Sequence, residues 1–258
     1  MQEKKVNINE NKTVESNPVL VIKNLNKRFG ENQVLNGFNL ELYEGENLVI
    51  MGKSGSGKSV MIKCLVGLIE PDSGSIKVMG QEIMELNQTQ FDVIRNEIGF
   101  LFQGSALYDS MTVRENLEFP LRHHKERFGN KMSTTTLIEE ALTNVGLLHA
   151  IDLMPSELSG GMKRRVALAR TLILKPKIIL YDEPTSGLDP ITSKEIIQLI
   201  KNIQEQYKTS SLIITHDVDC ARVIANRMIL LINGVNYIEG KYDELEKSTD
   251  ENVKAFFK

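Results

Sequence analysis

The stretch Gly52-Lys53-Ser54-Gly55-Ser56-Gly57-Lys58-Ser59 decides the fold of this chain. It fits the pattern G-x-x-x-x-G-K-[ST], with an apolar strand-like run at 48–51 before it and a helix-like run at 60–68 after it. Glycines let successive backbone N–H groups point inward, which makes an anion-binding nest at the N-terminus of the helix. Lys58 then reaches the β- and γ-phosphates of a nucleotide, and the Ser59 hydroxyl is a Mg²⁺ ligand. The stretch, named the P-loop below, predicts a nucleoside-triphosphate site.

Composition indicates an ordinary globular protein of 258 residues, with 41% hydrophobic and 25% charged residues. A net charge of -3 and a pI near 5.9 give no support for a nucleic-acid partner. Cys64 and Cys220 lie in apolar helical patterns, which favours buried free thiols in a reducing cytoplasm over a disulfide. No secretory signal is expected, and no apolar run approaches the roughly 20 residues of a membrane-spanning helix. Membrane association is therefore expected to come through a partner.

Apolar periodicity divides the chain into a tail at 1–17, an α/β domain at 18–241 and a closing helix at 242–258. Between 104 and 172 the pattern becomes helical, and no convincing strand interrupts it. That change predicts a helical subdomain inserted into the α/β domain. The helices expected there span 113–121, 134–145 and 160–174. Elsewhere a first strand is expected to begin at 19–22 and to continue toward a turn by 30, and further strands are expected at 35–42, 48–51, 75–79, 80–83, 98–103, 178–183, 211–216, 227–232 and 235–240.

Polar residues follow several of these strands, where ligands of open parallel sheets bind. Asp182 ends an apolar strand as a Walker-B acid does, holding Mg²⁺ directly or through water, and Glu183 is placed to orient or deprotonate the attacking water. Gln103 could be a ligand of the metal and of water, and His216 could contact the γ-phosphate. Each of these two, taken alone, is more often a solvated strand-end residue, and His216 followed by Asp217 could equally form a helix cap.

Two further positions each allow two interpretations. Phe29 could expose its ring for stacking on a base, or it could pack into the core as a strand residue. Ser159, Gly160 and Gly161 precede an Arg-rich helix, so they could bind an anion with free N–H groups and the helix dipole. Spacing alone favours an ordinary Ser N-cap there.

Together these residues resemble the ATPase subunit of an ATP-binding cassette (ABC) transporter, in the family's order from about Val19 to Gly240. The resemblance implies a P-loop NTPase (RecA-like) core with an antiparallel β edge subdomain and an inserted α-helical subdomain. It also implies the following roles: Phe29 stacks on adenine, Gly52 to Ser59 form Walker A, Gln103 is the Q-loop residue, Leu158 to Gly161 form the signature motif, Asp182 and Glu183 are the Walker-B acid and the catalytic glutamate, Ser186 to Asp189 form the D-loop, and His216 is the switch histidine.

Two departures from the family pattern refine the resemblance. Val60 stands where the family usually has Thr, so one hydroxyl contact to the α-phosphate is lost while the backbone amide remains. Met162 replaces the usual Gln after the signature glycines, which is similar to the Mla/Mce-type lipid transport subgroup. The segments 102–121 and 250–257 resemble that subgroup too, although polar amino-acid importers share part of the Q-loop stretch.

The resemblance implies an ATPase with ATP and Mg²⁺ as cofactors, at the cytoplasmic face of the plasma membrane. Its expected partners are a second copy of the chain, a membrane permease and, as a further candidate, an Mce-domain lipid-binding protein. Ser159, Gly160 and Gly161 of the second copy would cap the phosphates held by Lys58 and Ser59. Gly104 to Met111 would help line the groove that receives the permease, whereas Ala106, Leu107 and Tyr108 could instead pack within the helical lobe. The alternatives are a polar amino-acid or ion importer and a non-transport regulatory switch.

Overall fold

The computed structural model describes residues 17–124, 127 and 133–257. Residues 1–16 of the expected tail therefore lie outside the described part. In chain order the strands are β1 (Pro18–Phe29), β2 (Asn32–Tyr43), β3 (Asn47–Met51), β4 (Ser73–Val78), β5 (Gln81–Glu82), β6 (Ile98–Leu101), β7 (Ile178–Asp182), β8 (Ser210–Ile214), β9 (Arg227–Ile232) and β10 (Val235–Gly240). The α-helices are α1 (Lys58–Leu65), α2 (Gln88–Arg95), α3 (Val113–His123), α4 (Thr134–Asn144), α5 (Gly160–Leu172), α6 (Pro190–Tyr207), α7 (Val218–Ile224), α8 (Tyr242–Glu246) and α9 (Glu251–Lys254).

The strands form two sheets. A six-stranded sheet has the order β10-β9-β3-β8-β7-β6, in which β9, β3, β8, β7 and β6 run parallel and β10 closes a hairpin on β9. All five residues of β3 and of β8 are buried, as expected for central parallel strands covered on both faces. Because parallel strands end at one edge, the segments after β3, β6, β7 and β8 meet there.

The second sheet is antiparallel, with the order β2-β1-β4-β5. Its inner face and one face of the six-stranded sheet enclose α1 in a shared hydrophobic core, to which Phe38, Leu48, Met61 and Leu180 belong. The other face of the six-stranded sheet packs against α5, α6 and α7. The helix carrying the P-loop is thus fixed between two sheets.

The segment between β6 and β7 folds around its own core, formed by α3, α4 and α5. Asn116, which is fully buried, ties the loop before α3 to that core through hydrogen bonds with the backbone of Tyr108, Met111 and Thr112. The three helices expected between 113 and 174 are confirmed, with ends within two residues of the prediction. Both thiols are buried and free, as expected, and burial raises the pKa of Cys64 to about 11.

Two elements differ from the sequence prediction. The single closing helix expected over 242–258 is wrong for the described residues: α8 ends at Glu246, and Asp250 starts α9 by accepting the N–H of Asn252 at 2.7 Å. The polar run at 248–250 favours a cap over continuation of the helix. Helix α2 was not predicted, although Asn87 and Gln90 form a capping box before it, which is a recognisable signal in sequence.

Arg227 joins the two sheets at the start of β9. Its guanidinium donates to Glu46 at 2.7 and 3.0 Å, bonds the carboxylate of Glu239, and donates to the backbone carbonyl of Glu41 in β2. The Glu46 side chain is largely buried, so its charge depends on this partner. Removing one member of a buried ion pair leaves an uncompensated charge.

We expect Arg227→Met to lower the free energy of unfolding by about 2 kcal/mol, because Glu46 loses its counter-charge while remaining buried. Chemical denaturation of the purified chain measures the change. Arg114→Met is the matched control, since Arg114 pairs with a solvent-exposed Asp152 and should cost less than about 0.5 kcal/mol. Equal losses in the two variants would show that the pair at Arg227 is no more than a surface contact.

Candidate functional site

The P-loop connects the buried strand β3 to α1 and is too tight for side chains at two of its glycines. A Cβ on Gly57, whose φ is +105°, would lie 2.7 Å from the carbonyl oxygen of Val34. A Cβ on Gly52 would lie 2.5 Å from the Ser56 hydroxyl oxygen, which is buried and has no hydrogen-bond partner among the described residues. The loop therefore presents backbone N–H groups at the start of a helix, which is the donor set that phosphate requires.

Lys58 lies in this loop as a nearly buried cation, 8% exposed. Its Nζ donates to the carbonyl oxygens of Gly52 at 2.7 Å and Lys53 at 3.1 Å. Burial lowers the pKa of Lys58, while the charges of Glu183 and Asp182 act in the opposite direction. The ammonium is thus held over the loop by weak neutral acceptors that a phosphate could replace.

Asp182 is the last residue of β7, in register with Ile214 of β8. Burial raises the pKa of Asp182, the adjacent Glu183 raises it further, and Lys58 opposes the shift. No group of three or more His, Cys, Asp or Glu side chains that could hold a metal is found in the described part of the chain. Oxygen atoms of Ser59, Asp182 and Gln103 fit Mg²⁺, which is usually bound by one or two carboxylates together with substrate phosphates.

Glu183 and His216 meet across the ends of β7 and β8. The Oε2 atom of Glu183 lies 2.8 Å from Nδ1 of His216, and the backbone N–H of Glu183 donates to the carbonyl of Ile214 at 2.9 Å. The Glu183 side chain is 13% exposed and the imidazole 70% exposed. The sequence allowed three interpretations of His216: a solvated strand-end residue, part of a helix cap with Asp217, or a residue of the site. Asp217 does cap α7, and His216 still joins the carboxylate.

Gln103 is exposed, as expected for a strand-end residue, and its Nε2 also donates to the Ser186 hydroxyl of the D-loop at 3.2 Å. Arg164 of α5 holds the same two segments together, donating to the carbonyl of Phe102 at 2.7 Å and to the carbonyls of Gln103 and Ser186. Burial lowers the pKa of this guanidinium, with the charge of Asp182 opposing the shift. Arg164 therefore organises the backbone around the site.

The signature residues start α5 and pack against the start of α6. The Ser159 hydroxyl accepts the N–H of Met162 at 3.2 Å, so the ordinary N-cap is present. A Cβ on Gly161 would lie 2.5 Å from the Thr192 methyl, which explains the small residue. Asp189 caps α6 by accepting the N–H groups of Ile191 and Thr192, and the Thr192 hydroxyl is the main cause that lowers its pKa.

A cavity of about 570 Å³ opens beside the P-loop. Among the described residues that line it are Val34, Lys53 and Asn233, and the lining includes none of the residues 159–161. Phe29, at the end of β1, is 49% exposed, so the interpretation of Phe29 as a core residue is wrong. The Lys27 ammonium, paired with Asp72 at 2.9 Å, lies 5.5 Å from the centre of the Phe29 ring.

Sequence reasoning missed Thr185, since a Thr in a turn carries no distinguishing pattern. It named Ser186 only within the D-loop and Asp217 only as a helix cap, and it did not foresee that they bond to Gln103 and Thr185. The two departures from the family pattern, Val60 and Met162, are both half-buried, and each packs at the margin of a hydrophobic core. Within the described ranges, none of the helices is both long enough and apolar enough to cross a membrane.

Comparison with known proteins identifies the family. A family model described as ABC transporter matches residues 35–186. The methionine import ATP-binding protein MetN of Campylobacter jejuni is 38% identical over 252 residues, covering 92% of this chain and 75% of that protein. The intermembrane phospholipid transport system ATP-binding protein MlaF of Haemophilus influenzae is 36% identical over 240 residues, covering 93% and 90%.

A solved structure gives the same result for the fold. The dimeric structure of a post-hydrolysis state of the ATP-binding cassette MJ0796, bound to ADP and Pi, is 35% identical and matches with a TM-score of 0.77, covering 86% of this chain and 98% of that chain. The predicted fold class and the expected cofactors, ATP and Mg²⁺, are confirmed. The chain belongs to the ABC transporter family, as an ATP-binding subunit that hydrolyses ATP.

Proposed function

We propose that this chain energises phospholipid movement by a membrane transporter of the Mla/Mce type, working as a homodimer docked on a permease at the cytoplasmic face of the plasma membrane. One observation carries the ATPase site: Lys58, Asp182, Glu183 and His216 converge at a single edge of the parallel sheet. Met162 and the segment 102–121 support the choice of lipid, and the 36% identity with MlaF, similar to the 38% with MetN, is consistent with it.

In this proposal the P-loop amides, including that of Val60, and Lys58 hold the phosphates while Phe29 stacks on adenine. Ser59, Gln103 and Asp182 would hold Mg²⁺, which would supply positive charge that neutralises the phosphates. Glu183 takes a proton from the water whose oxygen attacks the γ-phosphorus, and the bond to the ADP oxygen breaks. The contact with Glu183 orients the imidazole of His216, leaving Nε2 free to meet the γ-phosphate.

Replacing Glu183 with Gln should reduce turnover at least about 100-fold while ATP binding persists, because the amide cannot accept the proton but keeps the shape of the side chain. Phosphate release measures turnover, and fluorescence of a labelled nucleotide measures binding. Glu205→Gln, on the exposed face of α6, is the control and should retain full turnover. Near-normal turnover in Glu183→Gln would remove Glu183 from the role of base.

The proposed dimer completes each site with the partner's signature motif. Ser159 and Gly160 are exposed and lie outside the lining of the cavity beside the P-loop, so they are accessible to a second copy. Asp189, the last residue of the D-loop, and the exposed Ile191 adjoin the same surface through the contact of Gly161 with Thr192. The dimeric state of the solved relative supports this arrangement.

A long cation at the signature motif should prevent dimer closure. We expect Ser159→Arg to abolish cooperative ATP hydrolysis, because the side chain would occupy the space of the partner's γ-phosphate, while monomer binding of ATP remains. Ser133→Arg is the matched control, since Ser133 is also an exposed N-cap, at the start of α4. Cooperative hydrolysis by Ser159→Arg would show that the motif does not complete a site.

A cavity of about 470 Å³ offers the permease a docking groove. It lies between β6, the loop after it, α3 and α5, and its apolar lining includes Phe102, Ala106, Tyr108 and Phe119. The rings of Tyr108 and Phe119 are 4.9 Å apart, and the Arg170 guanidinium lies 5.8 Å from the Tyr108 ring. Such an apolar groove with one cation at its wall fits an amphipathic helix of the permease.

Ala106→Glu should reduce the permease that co-purifies from membranes at least about tenfold, since docking would bury an unpaired carboxylate. Ala106→Gly keeps the apolar groove and accommodates the φ of +49° at this position, so it should co-purify as the wild type does. Mass spectrometry of the partner chains and their bound lipid tests the substrate.

The identity of the partner decides between the alternatives. Phospholipid with an Mce-domain protein is the expected result. A soluble amino-acid receptor in place of lipid would favour a polar amino-acid importer, to which the 38% identity with MetN lends support. Recovery of no permease at all would favour a nucleotide-switched regulatory protein.

A further inference from the structure

A hydrogen bond between side chains joins the two loops that carry Glu183 and His216. The Thr185 hydroxyl donates to Oδ2 of Asp217 at 2.9 Å. Thr185 is 6% exposed, so water competes little for this bond. Thr185 lies two residues after Glu183, and Asp217 directly follows His216. The bond therefore connects the segments on the two sides of the contact between Glu183 and His216.

Asp217 is held in place independently of Thr185. Its Oδ1 accepts the N–H groups of Asp219 at 3.0 Å and Cys220 at 3.1 Å, which caps α7. Its own N–H donates to the hydroxyl of the buried Thr215 at 3.0 Å. The start of α7 therefore fixes the carboxylate, and its other oxygen, Oδ2, faces Thr185.

Glu183, by contrast, has a strained backbone. Its φ is +49°, a left-handed conformation that side-chain-bearing residues rarely adopt. Such conformations persist only where the surrounding contacts impose them. The backbone bond to Ile214 holds Glu183 from one side, and the Thr185 bond holds the segment that leaves it.

We propose that Thr185 and Asp217 are positioning residues, whose hydrogen bond holds the Glu183 carboxylate and the His216 imidazole at their 2.8 Å separation. This inference rests on the proposed roles of Glu183 and His216. Neither Thr185 nor Asp217 touches the reacting atoms; they act through the two residues that do. A carboxylate displaced by about 1 Å from the attacking water would lose much of its effect on rate.

Thr185→Val tests the hydroxyl, because it keeps the branched shape and removes the donor. We expect kcat for ATP hydrolysis by the full chain to fall at least about tenfold, with KM for ATP unchanged within about twofold. Thr185→Ser restores the donor and should return kcat to within about threefold of the wild type. The double variant that carries Thr185→Val and Glu183→Gln should still dimerise when ATP is added. A substitution that merely damaged the fold would prevent this dimerisation.

Asp217→Ser supplies a second route, since Ser can cap α7 but is too short to reach Thr185. It should lower kcat as Thr185→Val does, and the double variant should lose no more than either single variant, as expected for two partners in one bond. If Thr185→Val proves too unstable to assay, the same kcat and KM comparison is made between Asp217→Ser and the wild type.

Wild-type kcat in Thr185→Val would overturn the inference, and so would a loss that Thr185→Ser does not restore. Glu183→Gln in the same assay separates this inference from the proposed function. Full turnover in Glu183→Gln removes the role of Glu183 itself. Loss of turnover in Glu183→Gln together with full turnover in Thr185→Val removes only the positioning bond.

Discussion

The parallel pairing of β3, β8, β7 and β6 is the constraint on which the rest of the site depends. Side chains far apart in the chain share one edge because each follows a strand that runs the same way. Lys58 follows β3, Asp182 ends β7, and His216 follows β8. Crossing helices on both faces bury these strands, so the edge has a rigid base. The geometry of the candidate site is thus a consequence of sheet topology.

That edge concentrates charge in a poorly solvated place. Burial lowers the pKa of Lys58 and raises that of Asp182. The charge of each group partly offsets the shift of the other. Such opposed shifts are typical of groups arranged for a ligand rather than for stability. A nucleotide bound with its divalent cation as proposed would add negative charge beside Lys58 and positive charge beside Asp182, so both groups would gain a partner.

The sequence predicted the strands and the strand-end residues because aliphatic runs and the P-loop spacing depend on neighbours in the chain. Lys58, Asp182 and Glu183 could be named in this way, whereas the pattern left Phe29 open between an exposed ring and a core residue. Contacts between distant segments could not: the bond of Gln103 to Ser186 spans 83 residues and that of Arg164 to Phe102 spans 62. The prediction of a single closing helix was wrong for a local reason, since Asp250 caps a new helix where the sequence predicted that one helix continues.

Helix α5 connects the two surfaces that the proposed function uses. Its first residues, from Gly160, form the signature surface expected to meet a second copy of the chain. One turn later Arg164 holds the carbonyls of Phe102 and Gln103, and Arg170 holds that of Ser105 at 3.1 Å, beside the docking groove. Because a helix moves as a rigid rod, a shift of the loop at 102–108 would carry the signature residues with it. If the chain docks and dimerises as proposed, the guanidinium groups of this single helix would link the two events.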